Sequence, residues 1–171
     1  MAKTLTANVA LDVLANYVDS ADLNTMRGVL SLKVTDSLAN GTAANQANLV
    51  WYDTRTLAAT SEQIDLAGGE REAFADVATF TNIRTLLIRN KQTTTGLTLT
   101  IGGGTTNPIS TIFGSTATNC TETIGPDGWT HKHNPVDGFA VTGGSADTLK
   151  LDAGTNTVVF DIIVIGIGTT A

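Results

Sequence analysis

The stretch Thr157-Val158-Val159-Phe160-Asp161-Ile162-Ile163-Val164-Ile165-Gly166 puts more β-branched apolar surface into one short run than any other part of the chain. Val and Ile are stiff at χ1 and pack well on a pleated surface, so the run reads as a strand. Val158, Phe160, Ile162 and Val164 fall on one face, Val159, Ile163 and Ile165 on the other. Two apolar faces suit a strand inside a sheet. Eight residues reach about 26 Å, whereas a transmembrane helix needs about 20 apolar residues, an extension that Asp161 and the flanking glycines prevent. The strand is therefore expected in mid-sheet, with residues 28–34 and 83–89 as its neighbours. Asp161 is expected to be buried there and to fix the register, held by Arg84, Arg89, Arg55 or threonine hydroxyls.

Working outward, a chain of 171 residues is most simply one domain that buries roughly 70% of its unfolded surface. Only 15% of residues are charged, with a formal net charge of −6, so neutral polar groups must cover the surface. Thirty threonines do so, and their β-branching favours strands. Seventeen glycines against three prolines point to tight turns rather than a linker. The expected class is all-β. An acidic chain with ten Lys plus Arg lacks the clustered basic groups that phosphate contacts need, which excludes nucleic acid as a partner. Cys120 is the sole cysteine, so no internal disulfide forms. Met1-Ala2-Lys3-Thr4-Leu5-Thr6 has no apolar run of a signal peptide, and no secretion is expected.

Residues 5–23 read either as a short helix, on Val9, Val13, Tyr17 and Val18, or as an extended arm. Residues 28–34 alternate at Leu30, Leu32 and Val34 and read as a first strand, with a helix as the alternative. Strands follow at 49–57, with Trp51 and Tyr52 on opposite faces, at 62–66, and at 80–90, where Ile83, Leu87 and Arg89 share one face and Arg84, Leu86 and Ile88 the other. Residues 70–74 suggest one helical turn. Residues 93–96 should turn the strong strand into a hairpin with 97–101, whose Leu97, Leu99 and Ile101 point inward. Gly125-Pro126-Asp127-Gly128 is a turn, with the positive φ expected at glycine. Further strands fall at 129–133, 138–142 and 148–151. Eight to ten strands at this spacing describe an antiparallel sandwich.

No motif announces chemistry. His131 and His133 share a strand face and suggest a metal only if Asp127 or Asp137 joins them, and a solvated or interfacial pair is the better reading. Gly102-Gly103-Gly104-Thr105-Thr106 lacks the Lys-Ser/Thr ending of a phosphate loop. Cys120 has no neighbour to lower its pKa, and no acid–base pair accompanies a serine. The expectation is a protein that is not an enzyme, with no catalytic, cofactor-binding or metal-ligating residue and no cofactor.

The order of motifs says more. Asn40-Gly41-Thr42-Ala43-Ala44-Asn45-Gln46-Ala47, Trp51-Tyr52-Asp53-Thr54-Arg55-Thr56-Leu57-Ala58-Ala59, Ile64-Asp65-Leu66-Ala67-Gly68, residues 138–142, Ala146-Asp147-Thr148-Leu149 and residues 160–166 together resemble the small virion structural proteins of tailed bacteriophages. The resemblance spans about residues 40–166. It departs from the pattern at residues 125–128, where Pro-Gly-Gly is more usual, and over the N-terminal 35 residues. What it implies is a jelly-roll-like β-sandwich and a capsid decoration or cement protein on the virion surface, made in the host bacterial cytoplasm. Its partners would be the major capsid protein and further copies of itself, trimers suiting three-fold junctions, with no membrane involved. Residues 1–35 are expected to be an N-terminal arm or first-strand region that contacts a partner, and 36–171 a single β-sandwich domain. The alternative is a tail or fibre component whose Trp51, Trp129 and Tyr52 stack on carbohydrate.

Overall fold

In the computed structural model, which describes residues 3–21, 24–71, 76–114 and 119–170, the chain is all-β in class, mostly antiparallel strands joined by turns and loops. The elements are β1 (Ala7–Ala21), β2 (Asn24–Asn40), β3 (Gln46–Ala47), β4 (Leu49–Ala58), β5 (Ser61–Asp65), β6 (Glu70–Arg71), β7 (Val77–Asn90), β8 (Leu99–Gly102), β9 (Thr121–Ile124), β10 (Trp129–His133), β11 (Phe139–Ala140), β12 (Thr148–Asp152) and β13 (Thr157–Thr170). Among the described residues the one helical element is a 3-10 turn, Thr111–Phe113.

One sheet runs β10-β7-β13-β4, with β6 and β11 also paired to β7, and a second runs β5-β12-β8-β9. They form a sandwich whose core takes Trp51, Phe80, Leu86, Ile88, Phe160, Ile162 and Val164 from the first sheet and Ile64, Leu99, Ile101, Leu149 and Leu151 from the second. Each such side chain contributes about 1.5–3 kcal/mol by leaving water. Arg55 on β4 clamps the layers from the side: it pairs with Asp53 at 2.8 Å, with Glu62 of β5 and Glu70 of β6, and lies 5.2 Å from the Trp51 ring. Burial pushes the Glu70 carboxyl up, and Arg55 opposes that shift.

β13 lies in mid-sheet as its two apolar faces require, with β7 on one side. Its other neighbour is β4 and not residues 28–34. Those residues belong to β2, which pairs along its length with the adjacent β1. A hairpin partner close in sequence costs little loop-closure entropy, so the local pairing wins. The same pairing resolves the helix-or-arm ambiguity of residues 5–23 where the structure describes them: β1 is a strand from Ala7 to Ala21, and residues 22–23 lie outside the described residues. β13 also continues past Gly166 to Thr170. The reason lies across the sheet, where the register with β7 slips at Ile165/Gly166 and again at Ile167/Gly168. At these bulges a Cβ on Gly166 would stand 2.2 Å from the Asn82 carbonyl oxygen and one on Gly168 2.1 Å from that of Thr79. The two glycines make room for the bulged backbone.

The bulges also correct the expected faces of β7. Ile83 is fully buried with Leu86 and Ile88 rather than sharing the outer face of Leu87 and Arg89, because each extra residue resets the alternation. The expected hairpin of residues 80–90 with 97–101 does not form: β8 pairs with β12 and β9 in the other sheet. Buried Asn90 guides this crossover, donating to the carbonyls of Leu97 at 2.8 Å and Ile124 at 3.2 Å. In the Gly125–Gly128 turn the positive φ, 52°, falls on Asp127 and not on glycine, a conformation Asp tolerates. Glu70 and Arg71 are extended in β6, so the expected helical turn does not start there, and residues 72–75 lie outside the described residues.

Gly166→Ala is expected to lower stability by several kcal/mol, on the order of an overpacked core, because the added methyl meets backbone rather than a movable side chain. Gly144→Ala, with open space around it but a φ of 75°, should cost only about 1 kcal/mol. Urea denaturation of the two variants checks the order, and equal losses would show that the bulge is not tightly packed.

Candidate interaction surface

The register of the six-stranded sheet lays out its outer face as rows. Tyr52, Ile163, Leu87 and His131 lie side by side on β4, β13, β7 and β10. The next row holds Thr54, Asp161, Arg89 and Trp129, and the one before it Val50, Ile165, Thr85 and His133. Tyr52 is 65% and Trp129 54% exposed, with Leu87, Ile163 and Ile165 half-buried between them. This face is apolar at its centre, and the base of the β1–β2 hairpin comes over one end of it, beside Thr85 and His133.

Asp161 stands in that outer face, half-exposed, and not in the core. Thr54 donates to it at 2.6 Å and Lys91 pairs with it at 3.2 Å. The Thr54 hydroxyl first, then Lys91 and Arg89, hold its carboxyl below the usual range. The threonine reading of its partner is correct, while Arg84 and Arg55 act elsewhere. Arg84, buried at the β7 bulge, donates to the carbonyls of Val136 at 2.7 Å and Ala43 at 3.3 Å. A side chain on the bulged residue is re-aimed, which alternation alone does not reveal.

His131 and His133 do share a face, their rings stacked at 5.8 Å. His133 bonds to the Thr85 hydroxyl at 2.8 Å through Nδ1 and to Asp36 of β2 at 3.1 Å through Nε2. Asp127 is taken by Arg89 at 2.7 Å. Among the described residues no three His, Cys, Asp or Glu side chains converge on a common point. In the glycine run, a Cβ on Gly102 would stand 2.2 Å from the Cys120 carbonyl oxygen, and Gly103 N–H donates to that oxygen at 2.9 Å. The run serves close backbone packing. Trp51 is buried at 2% exposure, so of the three aromatics considered for carbohydrate only Tyr52 and Trp129 face solvent.

Sequence reasoning missed the size and polarity of the hairpin. Fifteen cross-strand pairs join β1 and β2, from Ala7↔Leu38 to Ala21↔Asn24. One face carries Val9, Leu11, Val13, Ala15 and Tyr17 opposite Asp36, Val34, Leu32, Leu30 and Gly28; the other is mostly Asn, Ser, Thr, Asp, Lys and Arg. The apolar face sits on the body at its base, where Leu38 is fully buried and Val9 and Leu11 are half-buried. Toward the tip it is bare: Val13 is 45%, Leu30 70% and Tyr17 77% exposed. Pairing β1 with β2 residue by residue would have exposed this signal, since each strand alone alternates imperfectly. Between the hairpin base and the outer sheet face lies an open cleft of about 710 Å³, lined by Val9 and Leu11 above and Leu87, Trp129, His131 and Ile163 below.

No protein-family model, no curated protein and no solved structure matches the chain.

Burial, and then the neighbouring His133, push the His131 imidazole below its ordinary value. The folded state therefore binds less proton at this site than the unfolded chain, and its contribution to stability declines as pH falls through about 6.5 and below. The melting temperature is expected to drop between pH 7.5 and 5.5, and by less in His131→Asn. Identical slopes in the two proteins would show that His131 does not titrate against the fold.

Proposed function

We propose that the protein is a structural component of a bacteriophage virion, a capsid decoration or cement protein that binds the major capsid protein on the head surface and associates with copies of itself, with a trimer favoured. The observation that carries this reading is a projecting hairpin with a bare apolar face on a rigid, weakly charged sandwich. Monomeric proteins seldom expose large contiguous apolar patches unless they are interaction sites. A lattice component needs such docking surfaces and a body that holds its shape without chemistry of its own. The class of lattice rests on the motif order of residues 40–166, which resembles that of the small virion proteins of tailed bacteriophages.

Strand order supports a jelly-roll-like body. Taking the eight main strands β4, β5, β7, β8, β9, β10, β12 and β13 as first to eighth, the first pairs with the eighth, the second with the seventh, the third with the sixth and the fourth with the fifth. That is one long antiparallel ribbon rolled into two sheets, the arrangement of paired Greek keys. On this reading the protein is made in the bacterial cytoplasm, resides on the capsid and needs no cofactor or catalytic residue.

The purified protein should cosediment with heads that lack it, in hundreds of copies per particle, and restore their survival of heat and osmotic shock. Heads that neither bind it nor gain resistance would refute the proposal. The exposed Tyr52 and Trp129 favour a second reading, a tail or fibre component that grips carbohydrate. A few copies per virion, together with glycan binding lost in Trp129→Ala, would put that reading first.

A further inference from the structure

We propose that the distal half of the β1–β2 hairpin of one copy lies in the cleft of a second copy, apolar face down on the outer face of the six-stranded sheet. This deepens the self-association part of the function proposed above and rests on it. The hairpin face that seats the base on the body keeps its character to the tip, sealed at Leu38 and bare at Tyr17 and Leu30. A two-stranded ribbon is marginal in water without a layer against it. The chain also carries the missing layer, the half-exposed floor of the cleft at Leu87 and Ile163.

The tip cannot serve its own cleft. β1 is paired without a break, and Tyr17 stands six residues beyond Leu11, the last apolar residue of β1 at the cleft, a distance of roughly 20 Å. The occupant must come from another molecule. Its match to the floor is periodic: Val13, Ala15 and Tyr17 repeat every two residues, as do the rows that contain Ile165, Ile163 and Asp161. Among the described residues the ionic groups on the apolar face of the hairpin are the acids Asp19 and Asp36. Asp36 meets His133 at 3.1 Å within its own chain, so an acid on this face already sits against β10.

Gly28 points the same way. It lies opposite Tyr17 in mid-strand, its φ is not in the left-handed region, and a Cβ there would meet nothing within 4 Å. Nothing in the fold of one chain requires a glycine, in contrast to Gly166 and Gly168. A strand glycine without an internal cause marks the close approach of another surface, and here it leaves a notch beside the Tyr17 ring. Hairpin into cleft is a head-to-tail contact, and a closed ring of such contacts, the trimer favoured above, gives every copy both a donor and an acceptor side. At about 250 Å² on each side, each contact buries roughly 500 Å² in total and each protomer gives about 500 Å² to its two contacts, so single contacts are weak and hold through closure of the ring.

The test uses full-length chains carrying Cys120→Ser. Tyr17→Cys protein is mixed with Leu87→Cys protein and oxidised, and light scattering gives the mass of the wild type. An oligomer with a disulfide-linked dimer in the mixture, and in neither protein alone, is the expected result, and Leu30→Glu should reduce the mass to one protomer with the melting temperature of the body unchanged. Linkage in Tyr17→Cys alone would show hairpin packed on hairpin, and a link within a monomer of the double variant would show a hairpin folded onto its own sheet; each overturns the proposal. An oligomer without the mixed link refutes the hairpin contact but spares self-association, whereas a monomer at all concentrations refutes both.

Discussion

Hydrogen bonding of β13 along both edges is the constraint on which the other features depend. Ten of its residues pair with β4 and eleven with β7, and its alternate residues from Val158 to Val164 are fully buried on the inner side. A strand so held has one register, since a slip of one residue would move Phe160 and Ile162 to the outer face and bring Asp161 inside. The bulges in β7 and the glycines opposite them belong to the same constraint. They let β7 keep Phe80, Ile83, Leu86 and Ile88 in the core although these positions do not share one parity.

Because the register is fixed, the outer face is fixed too. Leu87 and Ile163 are brought side by side, with Tyr52 and His131 at the two ends of the row, and the result is an apolar strip on the side of the sheet away from the core. The hairpin crosses that side at its base, tied by Asp36 to His133, and then leaves the body. Its inner rows bury well, and its outer rows do not. A free energy gradient therefore runs along one continuous element, from a base stabilised by the core to a tip whose apolar face awaits a surface. A virion lattice is a setting in which such surfaces are supplied by neighbours, which is why the fold and the proposed role fit together.

Much of this was legible in the residues. The central strand, its two faces, the all-β class, the opposite faces of Trp51 and Tyr52 and the hydroxyl partner of Asp161 all follow from period-two patterning and from the need of a carboxylate for donors. What was not legible depended on pairing. Alternation read along one strand does not show a bulge in its neighbour, so it puts Ile83 on the wrong face and gives no reason for the glycines at 166 and 168. Residues 93–96 carry turn chemistry, yet buried Asn90 sends the chain across to the other sheet. Residues 5–23 mix helical and extended spacing because the apolar stripe of the hairpin is shared between two strands, and only their register assembles it.

In the proposed assembly a neighbour stabilises the distal half of the hairpin while the sandwich stands alone. Amide hydrogen exchange across a dilution series separates the two. Protection of residues 13–18 and 27–32 is expected to rise by ten-fold or more with protein concentration while that of β13 and β7 stays constant. Equal protection of the hairpin at every concentration, or a concentration dependence spread through β13, would contradict it.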